Sequence, residues 1–183
     1  MNRRQLLKNS TLAALGLSLG PSLALSLQSC AESRPNTDVP VYLDTAAYDT
    51  IWTISDLILP KTESPGAIDS GVPPFIDSLY GKYMEDEEKS SFQSGLEEFM
   101  KTCKKTYGKG FVALEAETQF SHLKELDAKG QEEAFFSKLK QIVLWAHFSS
   151  EIGMKSMNYK PVPGRYDGCI EIGPDEKNIV GNR

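Results

Sequence analysis

Residues 85–108, EDEEKSSFQSGLEEFMKTCKKTYG, form the stretch that decides the fold of this chain. Four consecutive acidic residues open it and three lysines lie near its end, which is the order of charge that a helix dipole favours. Glycine commonly ends helices, and Gly108 stands at the end of this stretch. Apolar side chains recur at helical spacing between these ends: Phe92, Leu96, Phe99, Met100, Cys103 and Tyr107. The stretch therefore predicts one long amphipathic helix.

The same periodicity dominates the chain on both sides of this helix. Further amphipathic helices are predicted over residues 46–59, 72–84, 115–128 and 131–148. Asp44 or Thr45 would cap the first of these and Pro60 would stop it. The apolar stripes of the others, which include Tyr83 and Phe120, are assigned to the core. Strand-like alternation never extends beyond a few residues, so we predict an all-α single domain of five or six helices.

Length and composition limit the classes of protein to which the chain can belong. Its 183 residues suit one domain, and 40% apolar with 25% charged residues argues against disorder and against several membrane spans. The formal charge of -5 gives a nucleic-acid partner no electrostatic support. The first 29 residues carry three of the cations and no acid, so the remainder of the chain has a charge of -8.

The beginning of the chain has the pattern of an export signal. A basic head, MNRRQLLK, precedes an apolar run over residues 12–27 that is too short and too interrupted by Gly and Pro for a membrane span. Arg3 and Arg4, followed by two leucines and a lysine, are similar to a twin-arginine signal, which exports proteins that are already folded. The alternative is an ordinary secretory signal with two arginines.

The signal ends in Leu27-Gln28-Ser29-Cys30, which resembles the lipobox of a lipoprotein. We expect residues 1–29 to be a removable signal peptide and Cys30 to become the lipidated first residue; cleavage nearby by ordinary signal peptidase is the alternative. Residues 30–44 then form a flexible spacer and residues 45–183 the domain. The protein is accordingly expected to be exported, in the periplasm or envelope, and held to the membrane by a lipid anchor.

Two segments interrupt the helical pattern. Residues 57–77 contain a Pro/Gly-rich loop that is long for a connection between helices, and residues 149–169 suggest a short capped turn followed by an extended tail. Their polar residues allow two interpretations. Asp69 and Ser150 would satisfy backbone groups of a turn and a helix cap, or the segments would contact another protein. The candidate contact residues are Thr62, Glu63, Pro65, Asp69, Ser150, Glu151, Tyr159 and Tyr166.

No catalytic constellation is evident in the sequence. His122 and His147 lie in separate predicted helices without ligand partners at metal-site spacing, and His147 is interpreted as a core or interface residue. The chain has no Cys-x-x-Cys-His for haem and no glycine-rich dinucleotide fingerprint, so we assign it no cofactor. If Cys30 is lipidated, Cys103 and Cys169 remain, either as a disulfide or as free thiols.

Three features together carry a resemblance to a known family. They are the Leu59-Pro60 helix end with its following loop up to Gly71-Val72-Pro73, the Ser150-Glu151-x-Gly153 turn, and the Tyr/Pro/Gly tail over residues 159–168. Over residues 46–170 the chain resembles the gluconate 2-dehydrogenase subunit 3 family. It departs from the family's usual Gly-Tyr-Tyr-Thr segment, where it has Trp145-Ala146-His147-Phe148-Ser149.

The resemblance implies that this chain has a partner protein and catalyses no reaction by itself. Such subunits accompany a large FAD-dependent flavoprotein of the glucose–methanol–choline type, often with a multihaem cytochrome c, so FAD and haem c belong to the partners. The chain would be a non-catalytic escort that helps the folded flavoprotein across the membrane. A twin-arginine leader would suit this role, because it exports proteins that are already folded. The alternative is a stand-alone envelope lipoprotein that binds a small ligand or envelope component; an enzyme acting alone lacks a constellation.

Overall fold

The computed structural model of the protein describes residues 38–157 and Tyr159. Its α-helices are α1 (Thr45–Ile58), α2 (Val72–Lys82), α3 (Asp86–Tyr107), α4 (Ala116–Lys129), α5 (Ala134–Ser149) and α6 (Glu151–Ser156). Two short 3-10 helices, Phe111–Ala113 and Gly130–Glu132, flank α4. The described residues contain six α-helices and no strand, which confirms the predicted all-α fold. No helix among them is both long enough and apolar enough to span a membrane.

Several predictions concern residues beyond this part of the chain. The signal peptide of residues 1–29 with Arg3 and Arg4, the lipidated Cys30, and Tyr166 and Cys169 of the tail all lie outside the described residues. These assignments stay predictions.

The ends of the helices follow from local chemistry that the sequence shows. The Asp44 carboxylate accepts a hydrogen bond of 2.8 Å from the Ala47 amide, so Asp44 is the cap of α1. The long helix α3 ends at Gly108, whose φ of 70° is in the left-handed region that glycine adopts without strain. Both ends agree with the sequence prediction.

Helix α5 is the centre of the packing, because it contacts each of the other α-helices among the described residues. Its Leu139 and Val143 are fully buried within the apolar core cluster. The core cluster includes Ile51, Ile54, Ile76, Phe92, Leu96 and Phe111. The position of α5 matters for function, since both ends of the candidate site described below are attached to it.

Three aromatic residues assigned to the core from the sequence are exposed, and the first of them, Phe75 at the start of α2, is 38% exposed. Tyr83 follows the end of α2 and is 73% exposed, because the helix ends at Lys82 and the chain leaves the apolar face there. Phe120 is 56% exposed. The buried face of α4 is centred on Gln119, His122 and Leu123, so Phe120 lies at the edge of that face.

Asp77 of α2 fixes the segment that enters the domain. The side chain is buried, and its two oxygens accept hydrogen bonds from the amides of Val41 (2.8 Å), Tyr42 (3.1 Å) and Leu43 (2.8 Å). The Tyr42 ring packs so closely over Gly81 that a Cβ there would lie 2.1 Å from it. The end of the predicted spacer is therefore held against α2.

We expect Asp77→Ala to lower the free energy of unfolding by about 2 kcal/mol, because three amides lose a charged acceptor. Asp77→Asn retains one acceptor oxygen, so its loss is expected to lie between those of the wild type and the alanine variant. Urea unfolding followed by circular dichroism measures both. Equal stability of Asp77→Ala and the wild type would show that these hydrogen bonds contribute nothing.

His122 lies in a buried cluster between α3 and α4. Its Nε2 is 3.5 Å from the Cys103 sulfur and its Nδ1 is 3.2 Å from the Tyr107 hydroxyl, while the rings of Phe99 and Phe111 pack beside it. Burial lowers the pKa of His122 and raises the pKa of Cys103 to about 11. Cys103 is a buried thiol, and its pairing with Cys169 stays a prediction.

The lowered pKa of His122 predicts a loss of stability on acidification. His122 has its usual pKa of 6.5 in the unfolded chain and a lower pKa in the folded chain. The stability that neutral His122 contributes is therefore complete above pH 6.5, and it is lost as the pH falls through the folded pKa. Glu125 and Glu133 oppose the lowering of the pKa, and Lys129 adds to it. We expect His122→Gln to flatten the pH dependence of the free energy of unfolding in this window. An unchanged profile would assign the dependence to other groups.

Candidate partner-binding site

The loop between α1 and α2 is closed by its own backbone. The Ala67 amide donates a hydrogen bond of 2.8 Å to the Leu59 carbonyl, and the Val72 amide donates one of 3.1 Å to the Ala67 carbonyl. A Cβ on Gly66 would lie 2.7 Å from the Lys61 nitrogen and 2.8 Å from the Leu59 oxygen, so the closure requires glycine at this position. The Pro/Gly spacing in the sequence thus reflects a compact loop.

Asp69 stabilises the loop from within. One carboxylate oxygen accepts a hydrogen bond of 3.0 Å from the Gly66 amide, and the other lies 2.9 Å from the Lys61 ammonium. The Lys61 hydrogen bond, followed by the Gly66 amide, lowers the pKa of Asp69. Asp69 therefore has the turn role that was the first of the two interpretations of the sequence.

Ser70 connects this loop to α5 through His147. The Ser70 hydroxyl donates a hydrogen bond of 2.9 Å to the Gly66 carbonyl and lies 2.7 Å from His147 Nδ1. With the hydroxyl proton directed to the Gly66 carbonyl, the hydroxyl oxygen accepts the second bond from His147 Nδ1–H. The imidazole is 4% exposed. This arrangement positions the loop against α5.

The backbone of His147 holds the turn into α6. Its carbonyl accepts hydrogen bonds from the Ser150 amide (3.1 Å) and the Ser150 hydroxyl (2.7 Å). The Ser150 oxygen in turn caps α6 by accepting from the Gly153 amide at 2.9 Å. A Cβ on Gly153 would lie 1.9 Å from the His147 oxygen, so the turn is possible only with glycine there.

His147 thus joins the two irregular segments that the sequence singled out. Its ring holds the α1–α2 loop and its carbonyl holds the α5–α6 turn, although the loop and the turn are about 80 residues apart. We call this arrangement of Ser70, His147, Ser150 and Gly153 the His147 junction. Sequence reasoning missed Ser70 and the linking role of His147; the available signal was a histidine within an apolar helical stripe.

The other candidate residues lie in the same two segments at different degrees of exposure. Thr62 and Glu63 are exposed in the loop, where the Thr62 amide donates to the Ser64 carbonyl at 3.0 Å, and Pro65 is half-buried. Glu151 is exposed and its pKa is lowered by a hydrogen bond from Lys155. Tyr159 is 41% exposed, and its amide donates to the Met154 carbonyl at 2.8 Å.

Metal ligands do not cluster in this part of the molecule. Over the described residues, no group of three or more His, Cys, Asp or Glu side chains is placed to hold a metal ion. The chemistry of the His147 junction is that of backbone closure and helix capping.

Comparison with models of known protein families gives a match. A family model described as gluconate 2-dehydrogenase subunit 3 matches residues 45–164, a range that begins at the first residue of α1 and includes the whole His147 junction. No curated protein and no solved structure matches the chain.

Proposed function

Because the chain belongs to the gluconate 2-dehydrogenase subunit 3 family, we propose that it is the non-catalytic small subunit of an exported FAD-dependent dehydrogenase of gluconate or a related sugar or polyol. Members of this family are subunits of an oxidoreductase. Our proposal goes beyond the family match in three respects: the escort role, the identity of the partner and the cellular location.

The extent of the family match is the observation that carries the proposal. It covers residues 45–164, and so it includes the packed helices α1–α6 together with the α1–α2 loop and the Ser150 turn. Both irregular segments meet at the His147 junction, which leaves Thr62, Glu63, Glu151 and Tyr159 exposed for contact with a partner. A fold that fixes two loops while exposing their polar residues suits a subunit that docks on another protein.

In this proposal the cofactors belong to the partner chains. A large flavoprotein of the glucose–methanol–choline type would hold FAD and determine the substrate, and a cytochrome c subunit would carry electrons in haem c. The only support for assigning these cofactors to partner chains is the resemblance of this chain to the small subunit.

Export would be the main contribution of this chain to the complex. FAD is inserted in the cytoplasm, so its protein must cross the membrane folded, and Arg3 and Arg4 would direct the pair to a pathway for folded proteins. Lipidation of Cys30 would then anchor the complex in the envelope, in the periplasm or at the cell surface.

Purification of the tagged full-length chain from its own cell envelope tests the proposal. We expect a large flavoprotein, identified by mass spectrometry and by its flavin absorbance, to be recovered with it. Arg3→Lys with Arg4→Lys is the control for export, and both chains should then remain in the cytoplasm. Recovery of the tagged chain without a flavoprotein, under conditions that preserve complexes, would contradict the proposal.

A second candidate function, a stand-alone lipoprotein that binds a small ligand, is favoured by a groove of about 170 Å³. Its lining is mostly apolar with a charged rim: Leu57, Ile58, Phe120, Leu123, Lys124, Asp127, Phe136 and Lys140. Calorimetric titration with octanoate, a small apolar anion, tests this function. Saturable binding that is lost in Phe120→Asp would support it, and a linear response would count against it.

A further inference from the structure

Three aromatic side chains form an exposed surface beside the His147 junction. Trp145 and Phe148 of α5 are 57% and 41% exposed, and Phe75 at the start of α2 is 38% exposed. Trp145 and Phe148 are three residues apart and therefore share a helix face. The rings of Phe75 and Trp145 pack edge to face, with their centroids 5.4 Å apart. We call these three residues the aromatic ridge.

The ridge is rigidly supported from below. The Phe148 ring packs edge to face on the imidazole of His147, with centroids 4.9 Å apart, and that imidazole is buried and bonded to Ser70. Aromatic side chains held in this way lose little conformational entropy when they are covered. The ridge is therefore preorganised for binding.

The ridge is also free of charge in a strongly charged protein. From Gln141 to the end of α5, the exposed residues are uncharged: Gln141, Trp145, Phe148 and Ser149. The charged side chains of this helix, Lys138 and Lys140, lie nearer its start and are paired with Glu88 and Asp127. Residues 38–157 as a whole contain twelve lysines and twenty acidic residues. Aromatic enrichment together with depletion of charge is the composition of the centre of a protein–protein interface. The three half-exposed rings present roughly 300 Å² of apolar surface, which is the size of a functional patch.

The charge of the domain argues against a second copy of this chain as the occupant. Residues 38–157 have a net charge of -8, so two copies that paired through their ridges would bring two strongly acidic domains together. A suitable partner instead has an apolar, uncharged centre and a basic margin.

We propose that the aromatic ridge is the surface by which this subunit docks on its catalytic flavoprotein, which presents an apolar pocket with basic residues around it. This inference rests on the proposed function. It names a surface that the candidate residues inferred from the sequence do not include, since Asp69 is engaged within the α1–α2 loop and Ser150 within the junction.

The test is co-expression of the full-length tagged chain with the flavoprotein recovered by the wild type, followed by measurement of their affinity. We expect Trp145→Ala with Phe148→Ala to bind the flavoprotein at least about 30-fold more weakly, as for the loss of two central aromatic contacts. The control is Tyr83→Ala, which removes a ring that is 73% exposed and lies outside the ridge. This control should bind as the wild type does. Trp145→Phe, which keeps an apolar ring, should be intermediate, and thermal unfolding checks that all variants are folded.

The possible outcomes separate the ridge from the proposed function. If the wild type and the double variant bind the flavoprotein equally, the ridge proposal is wrong and the proposed function stands. If the wild type recovers no flavoprotein, both are wrong. Self-association of the wild type that the double variant loses, measured by sedimentation, would identify a second copy as the occupant and overturn the proposal. The proposal would also be overturned if deletion of residues 160–183 made Trp145 fluorescence more accessible to a soluble quencher. That result would mean that the chain's own tail covers the ridge.

Discussion

Replacing His147 with alanine is expected to lower the free energy of unfolding by about 3 kcal/mol, which is the upper end of the usual range for single substitutions. The imidazole is 4% exposed, so its removal leaves a cavity beside α5. It also deprives the Ser70 hydroxyl of the hydrogen-bond partner that lies 2.7 Å away. Urea unfolding at neutral pH, followed by circular dichroism, measures the change.

His147→Asn is the control for this variant. The asparagine amide nitrogen occupies about the position of Nδ1 and can donate to Ser70, so we expect it to restore a substantial part of the lost stability. Amide exchange should show the same order, with the α1–α2 loop least protected in His147→Ala. A His147→Ala protein as stable as the wild type would mean that the ring does not hold the loop.

A methyl group at residue 153 is expected to have an effect of similar size, and to act mainly on α6. The added Cβ of Gly153→Ala would lie 1.9 Å from the His147 oxygen and 3.2 Å from the Phe148 Cα, which are backbone atoms that cannot move aside independently. Overpacking of this kind costs about 3 kcal/mol. A helix of six residues is not stable alone, so the domain would relieve the clash by releasing α6.

Hydrogen exchange of the α6 amides measures this release. We expect exchange in Gly153→Ala to be at least about 10-fold faster than in the wild type, with a smaller change in the α3 amides. Gly110→Ala is the matched control, because nothing lies within 4 Å of a Cβ at that position. Equal protection of α6 in the two variants would contradict the geometry of the junction.

The helices themselves were predictable because their determinants are local. The order of charges along α3, its apolar spacing and Gly108 all act within one segment, and Asp44 caps a helix that begins at the next residue. Asp69 and Ser150 were also open to prediction, since each bonds an amide three residues away.

Long-range contacts were not accessible in this way. The hydrogen bond between Ser70 and His147 joins residues that are 77 positions apart, and the bond from Val41 to Asp77 joins residues that are 36 apart. Periodicity reports which face of a helix is apolar and says nothing about which loop covers its end. Phe120 was misassigned for a related reason, because polar Gln119 and His122 occupy core positions of α4 and move the buried face away from it.

The most direct test of the central claim is a single gel-filtration run of the tagged protein purified from its envelope. Flavin absorbance, the quantity of this chain, and oxidation of gluconate with an artificial electron acceptor are measured in each fraction, with other sugars and polyols as further substrates. We predict that flavin and activity elute together with this chain in a complex larger than its own 20.3 kDa, and that the chain purified alone has neither. Substrate oxidation by the isolated chain, or flavin that never elutes with it, would contradict the account.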